Sequence, residues 1–214
     1  MQYEPNESNE QHYPAQPREE LKMKHLALGR VFGLTVLALF AQPLYAHTTG
    51  HTAGGFGLGF AHPLLGGDHL LAMLAVGVWA AHLRGRALWL LPSAFVAALL
   101  VGMQIGRGAG AVPWVEPMVA ASLLILGLMI ALQLRPAATA AIAVVSVFGL
   151  VHGHAHGAEM VGALIPYAAG MMLASLLLHG AGIGLGLMLQ RAQLQLYRLS
   201  GAGVAIAGTA LLLV

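Results

Sequence analysis

The sequence predicts an all-α, polytopic membrane protein with six transmembrane helices after an N-terminal signal peptide. Three observations carry that expectation. Of 214 residues, 58% are hydrophobic and only 8% are charged, against roughly 25% charged in a soluble domain. So few charges cannot build a water-facing surface. Beyond residue 55 the chain alternates long apolar segments with short breaks, and Lys and Arg fall unevenly among those breaks. The acids are concentrated at the start: Glu4, Glu7, Glu10, Glu19 and Glu20 come first, and only Asp68, Glu116 and Glu159 follow. No basic stripe is present to neutralise phosphates, which argues against a nucleic-acid partner. Cysteine is absent, which excludes a disulfide scaffold, a thiolate metal site and a Cys nucleophile.

Taken in order, residues 1–22 are polar, Pro-containing and aperiodic, as in a disordered extension. Residues 23–46 have the layout of a secretory signal peptide: Met23, Lys24, His25 and Arg30 make a basic start, Val31 to Phe40 an apolar run, and Leu44-Tyr45-Ala46 a small-residue cleavage pattern. Met23 then serves as the natural start and His47 as the mature terminus; the alternative is an uncleaved anchor. The remainder, 47–214, forms a six-helix membrane domain with apolar segments at about 56–81, 87–106, 114–133, 137–156, 161–189 and 199–214. A span needs roughly 20 residues, so the last segment is marginal. With the mature N-terminus outside, the inner loops hold Arg84, Arg86, Arg135, Arg191 and Arg198, and the outer ones only Arg107. Gly180, Gly182, Gly184 and Gly186, like Gly102 and Gly106, recur at spacings that let helix backbones approach in lipid.

Ionisable groups inside a span are expensive and point to function. His62-Pro63-Leu64-Leu65-Gly66-Gly67-Asp68-His69 places two imidazoles and a carboxylate near the outer end of the first segment. On a straight helix His62 and His69 share a face but stand roughly 10 Å apart along the axis. Pro63 and Gly66-Gly67 invite a break that would shorten that gap. Asp68 either binds a cation directly or orients a ligating histidine. At the outer end of the fourth segment, His152, His156 and Glu159 fall at i, i+4 and i+7 on one helical stripe. His154 points elsewhere, as an accessory ligand or, in the simpler reading, as a solvent-facing or capping residue. Glu116, at the outer start of the third segment, extends a cation path or is an interfacial charge. His179, in the fifth, extends that path inward or is a hydrogen-bonded packing residue. His82, beside Arg84 at the inner surface, needs no special role. Two His/carboxylate clusters near one entrance suit capture of Ni²⁺, Co²⁺, Zn²⁺ or Cu²⁺, without selecting among them.

At these motifs the chain resembles the HupE/UreJ family of nickel permeases, which carries HPxxGxDH in its first mature helix and FHGxAHGxE in its fourth. HPLLGGDH at 62–69 is complete at every fixed position; HGHAHGAE at 152–159 is complete after the first residue, where Val151 replaces Phe, with Phe148 one turn earlier. The resemblance covers about 24–214. It implies a bacterial-type inner-membrane protein, with a periplasmic mature N-terminus, that takes up Ni²⁺ or Co²⁺ for urease or hydrogenase maturation. It assigns the metal path to His62, Asp68, His69, His152, His156 and Glu159, with Glu116 and His179 as extensions. The cation is cargo, and no tightly bound cofactor is expected.

No GxxxxGK[ST] phosphate loop is present, so a secondary permease or facilitated channel is expected rather than an ATPase. Ligation requires neutral imidazole, so cation binding competes with protonation. The alternative from another class is an intramembrane metal-dependent hydrolase with Asp68 or Glu159 as base to a metal-bound water. Against it, neither motif includes a Ser or Tyr to stabilise an oxyanion. A bis-histidine haem protein would need facing histidines at matched depth.

Overall fold

The computed structural model describes residues 55–213, and every regular element in it is an α-helix: α1 (Gly55–Leu65), α2 (Gly67–Leu83), α3 (Ala87–Ala109), α4 (Val115–Ala131), α5 (Ala138–Ala158), α6 (Leu164–Ala192) and α7 (Leu194–Leu212). No strand occurs among the described residues. The expected polar extension, the signal peptide and His47 lie outside them.

The first apolar segment is broken in two. Pro63 lacks an N–H to give to the preceding turn, and Gly66, extended at φ −83 and ψ 110, separates α1 from α2. The two helices meet at 79°. The Gly66 N–H still reaches the His62 carbonyl at 3.1 Å and the Leu70 N–H reaches the Gly66 carbonyl at 2.9 Å. The chain therefore turns here without orphaning its backbone, which hydrocarbon would penalise.

Helices α3, α5 and α6 are long and apolar enough to cross a bilayer, and the bent α1–α2 pair would make a fourth span. That is the pattern of a multi-pass membrane protein, with fewer full-length spans than the six expected. Helix α4 has 17 residues. It stops early because Leu134 donates to the Met129 carbonyl at 2.9 Å and Gln133 turns at φ 56. Helix α7 begins five residues before its predicted start and so takes in Gln195, Tyr197 and Arg198, which lower its apolar character.

Glycine seams hold the bundle together. A Cβ on Gly102 or Gly106 of α3 would collide with the carbonyl of Leu150 or His154 on α5, and one on Gly153 or Gly157 of α5 with that of Leu99 or Met103 on α3. Backbones this close gain dispersion along their whole length, the main attraction between helices in lipid. Gly77 and Gly182 join α2 to α6 in the same way, and Gly127 and Gly201 join α4 to α7. The expected four-glycine contact on α6 is half realised: Gly182 and Gly186 are packed, whereas Gly180 and Gly184 face open space. Their 3.6-residue period puts alternate members of the run on opposite faces. The outer surface is apolar, with Ile165, Leu177, Met188 and Ile206 exposed. Exposed Trp89 lies in the first turn of α3 and exposed Trp114 at the N-cap of α4, where tryptophans sit at membrane–water boundaries.

Candidate metal centre

The break after α1 folds His62 back toward His69, so their ring centroids lie 6.3 Å apart rather than two turns apart on a straight helix. The end of α5 enters the angle between α1 and α2. The His156 ring is 4.2 Å from that of His69 and 4.8 Å from that of His62, and the His152 ring is 5.1 Å from that of His69. The glycine seam with α3 fixes the rotation of α5, and His152 and His156 are fully buried. Glu159, at the C-cap of α5, places Oε2 3.3 Å from His62 Nε2. Six of the eight expected residues are thus one cluster: His62, Asp68, His69, His152, His156 and Glu159.

Hydrogen bonds decide which nitrogens are available. Asp68 Oδ1 accepts from both the His69 backbone N–H and the ring Nδ1, each at 2.8 Å. His69 is then the tautomer with its lone pair on Nε2, and that buried atom has no partner. His152 Nδ1 faces the Phe148 carbonyl at 2.9 Å; a carbonyl only accepts, so this ring too leaves its lone pair on Nε2, again without a partner. Neither nitrogen of His156 has one. Buried polar atoms are normally satisfied. Four unsatisfied imidazole nitrogens on three touching rings form an arrangement poor in hydrogen bonds and rich in borderline nitrogen donors. As the rings stand, no three His, Asp or Glu side chains among the described residues are set to hold one ion; they pack edge to face or tilted, and convergence on an ion takes side-chain rotation.

The other two expected residues stand apart from the rings. Glu116 is exposed and lines an open cavity of about 300 Å³ with Glu159, His154 and the 111–113 turn. His179 is buried behind Phe95, their rings 5.1 Å apart, while Phe95 also lies 5.5 Å from His152. His179 faces the Ser175 carbonyl, yet neither nitrogen makes a well-formed hydrogen bond.

The model for the family described as "HupE / UreJ protein" matches residues 35–211. A curated relative, "Protein HupE" of Rhizobium leguminosarum bv. viciae, is 41% identical over 182 residues, covering 83% of this chain and 95% of its own length. The chain belongs to the HupE/UreJ family. No solved structure matches it. Of the two motifs on which the HupE/UreJ resemblance was first seen, every fixed His, Asp and Glu falls inside the cluster just described. The aromatic neighbour of His152 is supplied from α3 by Phe95, and the backbone of Phe148 fixes the tautomer.

Three residues depart from expectation. His154, expected as an accessory ligand or in a solvent-facing or capping role, is buried rather than solvent-facing and does cap a helix, with Nε2 3.1 Å from the carbonyl of Gly110, the C-cap of α3, and its ring 5.7 Å from that of Trp114. It secures a neighbouring helix end, because Gly106 brings that end against the His154 backbone. His82, expected to be an unremarked surface residue, is buried at the other end of the bundle, with Nε2 3.1 Å from the Gln133 carbonyl and 3.2 Å from Arg135 Nε. Tyr167 of α6 brings its ring to 6.2 Å from His62, so a phenol does accompany the first motif. Neither motif contains Tyr167, and its only sequence signal was a polar group within an apolar span.

Proposed function

We propose that this chain is a secondary permease for Ni²⁺ or the similar ion Co²⁺, and that the cation enters between the α1–α2 break and the end of α5. The observation that carries this reading is the trio His69, His152 and His156. Two of these rings are held as tautomers with a free Nε2 lone pair, and the third presents two unbonded nitrogens. Imidazole and carboxylate without thiolate suit a borderline divalent ion. The order of residues suggests a route. Glu116 and Glu159 attract the cation at the open cavity, His62 and Glu159 receive it, His69, His152 and His156 strip its water, and His179 beyond Phe95 takes it inward.

In this reading α4 and α7, packed beside the longer helices, complete six crossings, and the mature N-terminus lies on the periplasmic side of a bacterial inner membrane. The arginine-bearing turns support that orientation, since hydrogen bonds from Arg84 to Gln190, Arg135 to His82 and Arg198 to Ala131 gather them at one end. The client would be urease or hydrogenase maturation. Transport is favoured over a metal-dependent hydrolase because His69, His152 and His156 are buried against one another, so an ion taken up there by side-chain rotation is shielded from an organic substrate. The deciding experiment measures uptake of Ni²⁺ at limiting concentration, with Co²⁺ and Zn²⁺ as competitors. Cells expressing His69→Ala should lose about 100-fold or more in uptake, beyond the 10- to 100-fold typical of losing a group that only orients a ligand. Wild-type uptake at matched protein level would reject the path.

A further inference from the structure

The phenol of Tyr167 has no role in the route above, yet it stands at the entrance to it. Tyr167 is 2% exposed, and its hydroxyl is buried without a hydrogen-bond partner. Tyrosine hydroxyls that leave water normally keep a partner, because a lost hydrogen bond is costly to bury. The ring cannot easily move to find one: a Cβ on Gly59 of α1 would collide with the Tyr167 carbonyl, so α1 and α6 touch backbone to backbone at this residue. The ring lies 61° to that of His62 at 6.2 Å. His62 Nε2 is in turn 3.3 Å from Glu159. A phenol with a buried, unpartnered hydroxyl therefore packs against the imidazole that meets this carboxylate.

We infer that Tyr167 is a further residue of the cation site, whose hydroxyl donates to a water that the ion retains between Glu159 and His62. The inference rests on the permease reading and adds to it the handling of a partly hydrated ion. A divalent cation polarises its bound waters, and a retained water both fills the unmet need of the phenol and links it to the ion. A second tyrosine supplies the control. Tyr197 is also fully buried with an unpartnered hydroxyl, but it stacks on His82 at 5.2 Å at the opposite end of the bundle.

The test is Tyr167→Phe against Tyr197→Phe in the full chain. Each removes one oxygen and keeps the ring. Two readouts are needed: Ni²⁺ uptake kinetics in cells, and equilibrium binding of Ni²⁺, added as the chloride, to detergent-purified protein with its near-ultraviolet difference spectrum. Tyr167→Phe should raise KM and the dissociation constant by about tenfold, the scale of one hydrogen bond close to a charge. Vmax should hold, and the tyrosine signal induced by Ni²⁺ should vanish. Tyr197→Phe should leave all three as in wild type. A Tyr167→Phe protein with wild-type KM, binding and spectrum overturns the assignment of Tyr167 while leaving the permease reading intact. A wild-type chain that neither binds nor takes up Ni²⁺ overturns both.

Discussion

The two ends of the bundle each bury histidine among aromatic rings, and they differ in one respect. At the Arg-rich end, His82 Nε2 lies 3.1 Å from the Gln133 carbonyl and 3.2 Å from Arg135 Nε, donating to the one or accepting from the other, with Tyr197 stacked on its face and Trp79 donating to the Leu134 carbonyl at 3.2 Å nearby. That set clamps the turn between α4 and α5. At the other end, the bonds made by His69 and His152 use only Nδ1, and His156 makes none. Burial of an imidazole therefore says little about its task. What sets the cluster apart is that its remaining ring nitrogens are buried together without partners, whereas no nitrogen of His82 is both buried and unpartnered.

The sharpest way to break that contrast is to truncate one histidine from each end. His156→Ala removes two unclaimed nitrogens and should abolish Ni²⁺ uptake, a loss of about 100-fold or more, with little effect on thermal stability because no hydrogen bond is lost. His82→Ala should do the reverse. Uptake per molecule should stay near wild type, while the loss of a carbonyl hydrogen bond and a stacked ring costs about 1–3 kcal/mol and lowers Tm in detergent. Equal effects of the two on uptake would remove the distinction between the unpartnered cluster nitrogens and the engaged ring of His82.

How much of this was legible in the chain depends on the kind of contact. The helical class and the break at Gly66 follow from composition and from backbone chemistry local to Pro63 and Gly66, and both appear in the structure. The stripe of His152, His156 and Glu159 follows from the helical period alone. Contacts made across helices were not legible. Nothing near residue 167 shows that Gly59 would seat α1 on Tyr167, and nothing near residue 82 shows that the turn at Gln133 folds under it. The helix end that His154 caps was not legible for the same reason, since its partner is a carbonyl 44 residues away. Only three helices among the described residues, or four spans with the bent pair, reach full length, because hydropathy counts apolar residues and not where turns such as 132–134 end a helix.

A smaller effect sharpens the contrast from within the cluster. Asp68 holds His69 in one tautomer by accepting from Nδ1. Asp68→Asn keeps the volume and one acceptor but loses the charge that favours Nδ1–H, so Nε2 carries the lone pair for only part of the time. Ni²⁺ affinity should fall by about 10-fold, the lower end for residues that orient a ligand, with helix content unchanged by circular dichroism. A loss as deep as that of His156→Ala would instead make Asp68 a direct ligand, and the tautomer account would fail.

The smallest effect belongs to His154, which lies between two cluster histidines in sequence yet has Nε2 committed to the Gly110 carbonyl. Like His82, and unlike the cluster rings, it has no buried nitrogen left without a partner. Its ring lines the cavity with Glu116 and Glu159, so the bond holds the 111–113 wall in place and presents no donor through Nε2. His154→Gln can still donate to that carbonyl and should change Ni²⁺ KM by less than about twofold. His154→Ala loses one neutral hydrogen bond, about 1 kcal/mol, loosens the wall, and should raise KM severalfold at unchanged Vmax. If the Gln variant is as impaired as the Ala variant, an imidazole nitrogen is required at that position, and His154 joins the ligands despite its engaged Nε2.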